Sequence, residues 1–131
     1  MIEALLMTVA LSGKPELPEY RGAHYTPKAE KFLECVAARE SGWPRKGAAR
    51  ADGPYGSGLF QMVKSTSRVY ALKAGYPEWA EQRAAEWPPY VQTEVAYVLL
   101  NPYPKKKGLE GKHHWSTDHT FAVLGKRGKS C

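Results

Sequence analysis

The sequence predicts a mainly α-helical, small single domain with a Gly-rich loop or short β element beside its first helix. Three observations predict it. A Thr26-Pro27 step leads into apolar residues spaced three and four apart, the pattern of a capped amphipathic helix. Pro88-Pro89 leads into a second such stretch. Between the two, residues 53–58 are half glycine, and little of the chain alternates as strands do.

The chain has 131 residues, which fits one domain. An apolar fraction of 43% and a charged fraction of 24% allow a packed core and argue against disorder throughout. The net charge of +6 draws polyanions: nucleic acid, anionic membrane or anionic cell-wall polymer. Charge alone does not choose among them. Cys35 and Cys131 allow at most one internal disulfide. Cys131 is the last residue, where chains fray, so pairing and redox compartment both stay open. No apolar run reaches transmembrane length. Ala4 to Leu11 is short, follows Glu3, and has no Lys or Arg before Lys14, so it makes a poor secretory signal.

Residues 1–25 read as an arm, because Gly13, Pro15, Pro18 and Gly22 interrupt any long helix. The domain proper is expected over 26–124. Thr26 caps the first helix; Ala29, Phe32, Leu33 and Val36 form its buried face, and Glu40 falls on the same face. Gly42 and Pro44 stop it. Residues 43–58 are loop, and Gly53 to Gly58 demands unusual backbone angles or close packing. Leu59 to Met62 is a strand or a turn. Ser65 is expected to cap a helix through about Ala74, closed by Gly75. Pro77 is expected to open another through about Trp87. Tyr90 to Leu100 is the clearest helix, with Val91, Val95, Val98 and Leu99 as its buried stripe. Pro102 to Gly111 is basic and turn-rich, His113 to Leu124 adds one short element, and 125–131 is a basic tail.

The chemistry centres on Glu40. It ends a helix on its apolar side and faces a Gly-rich loop. Partial desolvation raises a carboxyl's pKa, which is what a general acid for glycoside cleavage needs. The plain alternative is a last-turn glutamate paired with Arg39, Arg45 or Arg50. Asp52 is a second carboxylate candidate, with turn capping beside Gly53-Pro54 as its alternative. Trp43, Tyr55, Trp87, Tyr90, Tyr97 and Trp115 offer flat faces to a sugar or simply fill core. Trp43 and Tyr55 are the best placed for sugar, on loops flanking Glu40.

Glu40-Ser41-Gly42 after an amphipathic helix, then Gly56-Ser57-Gly58-Leu59-Phe60-Gln61 and Ser65-Thr66, resembles the lysozyme-like superfamily. The closest likeness is to the soluble lytic transglycosylase and resuscitation-promoting-factor catalytic domains and their phage-borne relatives. The resemblance runs from about Phe32 to Leu100. It implies an α+β lysozyme-like fold with Glu40 as catalytic acid and base and Ser41 beside it. It implies a cleft lined by Ser57, Gly58, Leu59 and Gln61. Tyr55-Gly56 resembles the aromatic-Gly step of the resuscitation factors, Gln92 to Leu99 their Gln-initiated helix, and Tyr97 the cleft tyrosine of the transglycosylases. Two features depart from the pattern: Arg39 stands where the resuscitation factors carry Cys, and the Ala-Tyr-Asn signature is absent. The implied reaction is cleavage of the MurNAc-GlcNAc β-1,4 bond in peptidoglycan. In this one-carboxylate route the substrate's acetamido group stabilises the sugar cation. Glu40 then takes a proton from the C6 hydroxyl, giving an anhydro sugar, or from water.

The expected partner is a peptidoglycan glycan strand met at the bacterial cell wall by a monomer, with no cofactor. The poor signal suggests a phage lysin or virion-associated protein. His113-His114-Trp115-Ser116-Thr117-Asp118-His119 lacks the spacing of a zinc peptidase, so no metal is expected. Gly53 to Gly58 lacks the Gly-Lys-Ser/Thr ending of a phosphate loop. No basic helix with interleaved aromatics points to nucleic acid, and Lys105 to Lys107 reads as a solvated loop. The competing class is a non-catalytic module that grips cell wall or protein on the same fold.

Overall fold

Helix α1 runs Pro27–Ser41 because its ends are specified locally. Thr26 is extended and its Oγ1 accepts from the Ala29 N–H at 2.9 Å, while Gly42 closes the far end with φ 75°. Ala29, Phe32, Leu33 and Val36 are buried, as their spacing predicts. This computed structural model describes residues 17–106, 108–115 and Cys131.

After α1 the chain makes a 3-10 turn at Ala48–Arg50. A two-residue hairpin follows, β1 Gly56–Ser57 antiparallel to β2 Met62–Val63, with Ser57 opposite Met62. Helix α2 covers Lys64–Lys73 and α3 covers Pro89–Leu100, with 3-10 turns at Pro77–Trp79, Ala84–Glu86 and Glu110–Trp115. The class is therefore mainly helical with a small β element, as the sequence predicts.

Helix α3 is the hub: α1, α2 and the 110–115 turn all pack on it. Its buried set is wider than the expected stripe and takes in Gln92, Thr93, Ala96, Tyr97 and Leu100 as well. A helix enclosed from several sides needs apolar residues nearly all round. Each fully buried Val or Leu on it contributes about 1.5–3 kcal/mol.

Three expected boundaries change. Ser65 does not cap α2; the strand runs straight into the helix through extended Val63, and Ser65 lies inside its first turn. The helix expected from Pro77 to Trp87 is two separate 3-10 turns. The cause is Trp87, whose buried indole Nε1 donates to the Trp79 carbonyl at 2.8 Å and the Gln82 carbonyl at 3.0 Å. The end of the expected arm is docked: Tyr20 stacks on Tyr97 at 4.7 Å, and His24 and Asn101 exchange two hydrogen bonds. Residues 1–16, which include the apolar Ala4–Leu11 stretch, lie outside the described residues, as do 116–130 of the last short element and the tail. The final residue does not stand alone, because Cys131 is disulfide-bonded to Cys35 on α1.

Candidate active site

Glu40 occupies the last turn of α1, its side chain only 15% accessible. Arg39 Nη2 donates to its Oε1 at 3.3 Å and to the Trp115 carbonyl at 2.8 Å. Trp115 is fixed at its other end too: its buried indole N–H donates to the Phe60 carbonyl at 2.8 Å, and its ring lies 6.2 Å from that of Phe32. The end of α1, the hairpin turn and the 110–115 turn are thereby tied together. They enclose a pocket of about 120 Å³ whose walls include Glu40, Gln61, Met62, Thr66, His114 and Trp115.

Gln61 reaches this wall because of an unusual local path. Its φ is 50°, and its Nε2 donates to the Ala51 carbonyl at 3.2 Å and the Gly58 carbonyl at 3.1 Å. Both donors of the carboxamide hold the Gly-rich loop in place. The loop needs its glycines. Gly58 has φ 83°, and a Cβ there would run into Gln92 Oε1; one on Gly56 would strike the Gln61 backbone.

Gln92 holds more of the site together than its place in the sequence reveals. It is fully buried in α3. Its Oε1 accepts from the Leu59 N–H at 2.8 Å, and its Nε2 donates to the Ala49 carbonyl at 2.9 Å and the Trp87 carbonyl at 3.0 Å. One side chain thus pins three loops. The available signal was a carboxamide beside the apolar stripe of a helix, because a polar group in such a place must find partners.

The other anticipated residues fall elsewhere. Asp52, Tyr55 and Ser57 share a different pocket of about 230 Å³ with Lys64 and Arg83. Met62 lines both pockets, so they flank the hairpin. Asp52 pairs with Arg83, and its backbone bridges to Ser57, whose buried Oγ accepts from the Ala85 N–H at 3.0 Å. Trp43 and Leu59 line a third pocket of about 300 Å³ with Leu17, Arg45 and Lys46. Ser41 is buried, its hydroxyl donating back to the Ala37 carbonyl at 2.9 Å. Tyr97 is buried beneath Tyr20 and Tyr25, and burial above all pushes its hydroxyl far above the usual phenol range. Neither Ser41 nor Tyr97 lines the Glu40 pocket.

Of the expected site, the structure therefore joins Glu40 with Gln61 and separates both from Asp52, Trp43 and Tyr97. In the sequence, Trp115 reads as core or sugar platform and His114 only as a metal-capable side chain. Among the described residues, no group of three or more His, Cys, Asp or Glu side chains is placed to hold a metal ion. No helix of the described residues is long and apolar enough to cross a membrane. Compared with known proteins, the chain matches no family model, no curated protein and no solved structure.

Proposed function

We propose that this protein is a peptidoglycan-degrading enzyme on a lysozyme-like fold, a lytic transglycosylase or lysozyme-type glycosidase. It cleaves the MurNAc-GlcNAc β-1,4 bond with Glu40 as general acid and base. One observation carries the reading: a largely enclosed carboxyl at a helix end lines a pocket that Gln61, at the end of the hairpin turn, lines as well. An acid that protonates a glycosidic oxygen needs such shelter and a wall that positions the sugar.

The pocket is smaller than the roughly 300–1,000 Å³ typical of small-molecule sites. It therefore takes the atoms at the scissile bond and not a whole disaccharide. The rest of the strand runs across the hairpin towards Tyr55 and Ser57, which Met62 connects to the Glu40 side. Glu40 protonates the glycosidic oxygen, and the acetamido group of the MurNAc sugar itself stabilises the cation developing at its C1. Glu40 then receives a proton from the second nucleophile, either the C6 hydroxyl or water. The site of action is the bacterial cell wall, and the proposed origin is a phage lysin or virion-borne protein working as a monomer.

The Arg39 partner favours a second reading. An ion-paired last-turn carboxylate is also what a purely structural glutamate looks like, and the fold then serves as a non-catalytic wall-binding module. Digestion of purified peptidoglycan, with mass analysis of the fragments, separates the two. The enzyme releases muropeptides, and Glu40→Gln lowers turnover at least about 100-fold while still sedimenting with cell wall. A wild-type protein that binds peptidoglycan and releases nothing is the binding module.

A further inference from the structure

The pocket around Glu40 holds a second proton-carrying side chain, and it is an imidazole. His114 lines the same pocket, while Asp52, the only acidic residue between Glu40 and Gln61 in the sequence, lines another. We propose that His114 is the general base of this site, activating a water against the sugar carbon whose leaving oxygen Glu40 protonates. The inference rests on Glu40 as the general acid; it moves the base role from Glu40 to His114 and puts water, in place of the acetamido group, at the far face of C1, so the outcome is hydrolysis with inversion.

The geometry holds His114 at the pocket wall. The next residue, Trp115, is anchored through its carbonyl to Arg39 and through its indole to Phe60. The His114 ring meets the edge of Tyr70 at 6.1 Å and lies 4.2 Å from the His113 ring. Among the described residues, neither ring nitrogen of His114 is taken up by a hydrogen bond. The His113 ring, by contrast, is bonded to the Glu110 carbonyl.

Among the described residues, the charged and titratable groups around His114 come from three elements. Its own turn supplies His113, α1 supplies Glu40 with its Arg39 partner, and α2 supplies Tyr70, whose ring carries Lys73 Nζ at 4.8 Å. Burial first, and the neighbouring His113 second, hold the imidazole below the ordinary histidine value. It is therefore neutral near pH 7, as a base must be.

The step balances without any other reagent. The glycosidic bond from MurNAc C1 breaks, and the Glu40 proton goes to the departing GlcNAc O4. A water oxygen bonds to C1 from the opposite face, and its proton goes to His114. Solvent then carries that proton from His114 back to Glu40. Attack from the far face turns a β-glycoside into an α-configured reducing end.

The test is peptidoglycan digestion followed by NMR at early times, with wild-type protein, Glu40→Gln, His114→Ala and His114→Gln. Wild type is expected to release reducing-end MurNAc that is first α. His114→Ala is expected to lower kcat about 100-fold or more with KM little changed, to lose the acidic limb of the pH profile, and to regain turnover with added imidazole. Anhydro ends, a β-anomer first, or a His114→Ala or His114→Gln enzyme within about twofold of wild type overturns the His114 assignment and leaves Glu40 standing. If either variant fails to fold, the wild-type anomer decides alone. No fragments from wild type overturns the Glu40 reading and this one with it.

Discussion

Gln92 lies with its whole side chain out of water, and three backbone groups depend on it. The Leu59 N–H, the Ala49 carbonyl and the Trp87 carbonyl belong to three different loops. Replacing the carboxamide with an isobutyl group leaves all three without their partner in a dry setting. Each orphaned group costs about 1–3 kcal/mol, although neighbouring backbone and entering water recover part of it. We expect Gln92→Leu to lower stability by about 2–4 kcal/mol in urea unfolding. A loss below about 0.5 kcal/mol would show that the loops do not lean on it. Glu40 differs in kind. Its bond to Arg39 at 3.3 Å is partly shielded but makes little structural demand, so Glu40→Gln is expected to leave folding nearly intact, whereas the proposed function requires turnover to fall at least about 100-fold. Glu40 was legible as a sheltered carboxyl from its helical position alone. Spacing leaves its arginine partner open among Arg39, Arg45 and Arg50, because side-chain direction at a helix end is not a matter of spacing.

At the scale of elements, the 3-10 turn at Pro77–Trp79 is fastened to α3 through Tyr76 and Glu94. The hydrogen bond from the Tyr76 hydroxyl to the Glu94 carboxylate is the main cause that pushes this phenol up to about 12; burial adds to it. The sign follows directly. The folded value exceeds the unfolded value of about 10, so the contribution is complete below about pH 10 and fades as pH rises through about 12. Glu94→Gln is expected to move one phenolate transition in an absorbance titration to lower pH, and Tyr76→Phe is expected to delete that transition. Titration curves that superimpose on wild type in both variants would break the link. The sequence pointed to a continuous helix here, since Pro77 is a sound first residue for one. The Trp87 indole took the Trp79 and Gln82 carbonyls instead, and that competition is tertiary.

Across the whole molecule, the Cys35–Cys131 bond joins residues 96 apart in sequence. It ties the last residue to the helix that carries Glu40 in its last turn. A cross-link of that span removes much of the unfolded chain's freedom, worth about 4–5 kcal/mol in the chain-entropy account. We expect Cys131→Ser, or reduction in urea-free buffer, to lower the unfolding midpoint by roughly 10–15 °C. An unchanged midpoint under conditions shown by thiol labelling to leave both cysteines reduced would contradict this. Docking of Tyr20 and His24 on Tyr97 and Asn101 belongs to the same scale. It extends the folded unit into residues that read as an arm, because proline and glycine forbid a long helix without forbidding contact.

By itself the sequence determined what depends on neighbours along the chain. It set the start of α1 at Thr26-Pro27 and its stop at Gly42, the inward faces of α1 and α3, the Gly-rich turn, and Glu40 at a sheltered helix end. Caps, periodicity and glycine angles are local quantities, so they can be read without a fold. Only the tertiary structure decided which side chains share a pocket. It put His114 rather than Asp52 beside Glu40, sank Tyr97 into the core, joined the two cysteines, and made Gln92 the pin of three loops. Those outcomes depend on how segments tens of residues apart lie against α3, and the packing that sets this leaves no period in the chain.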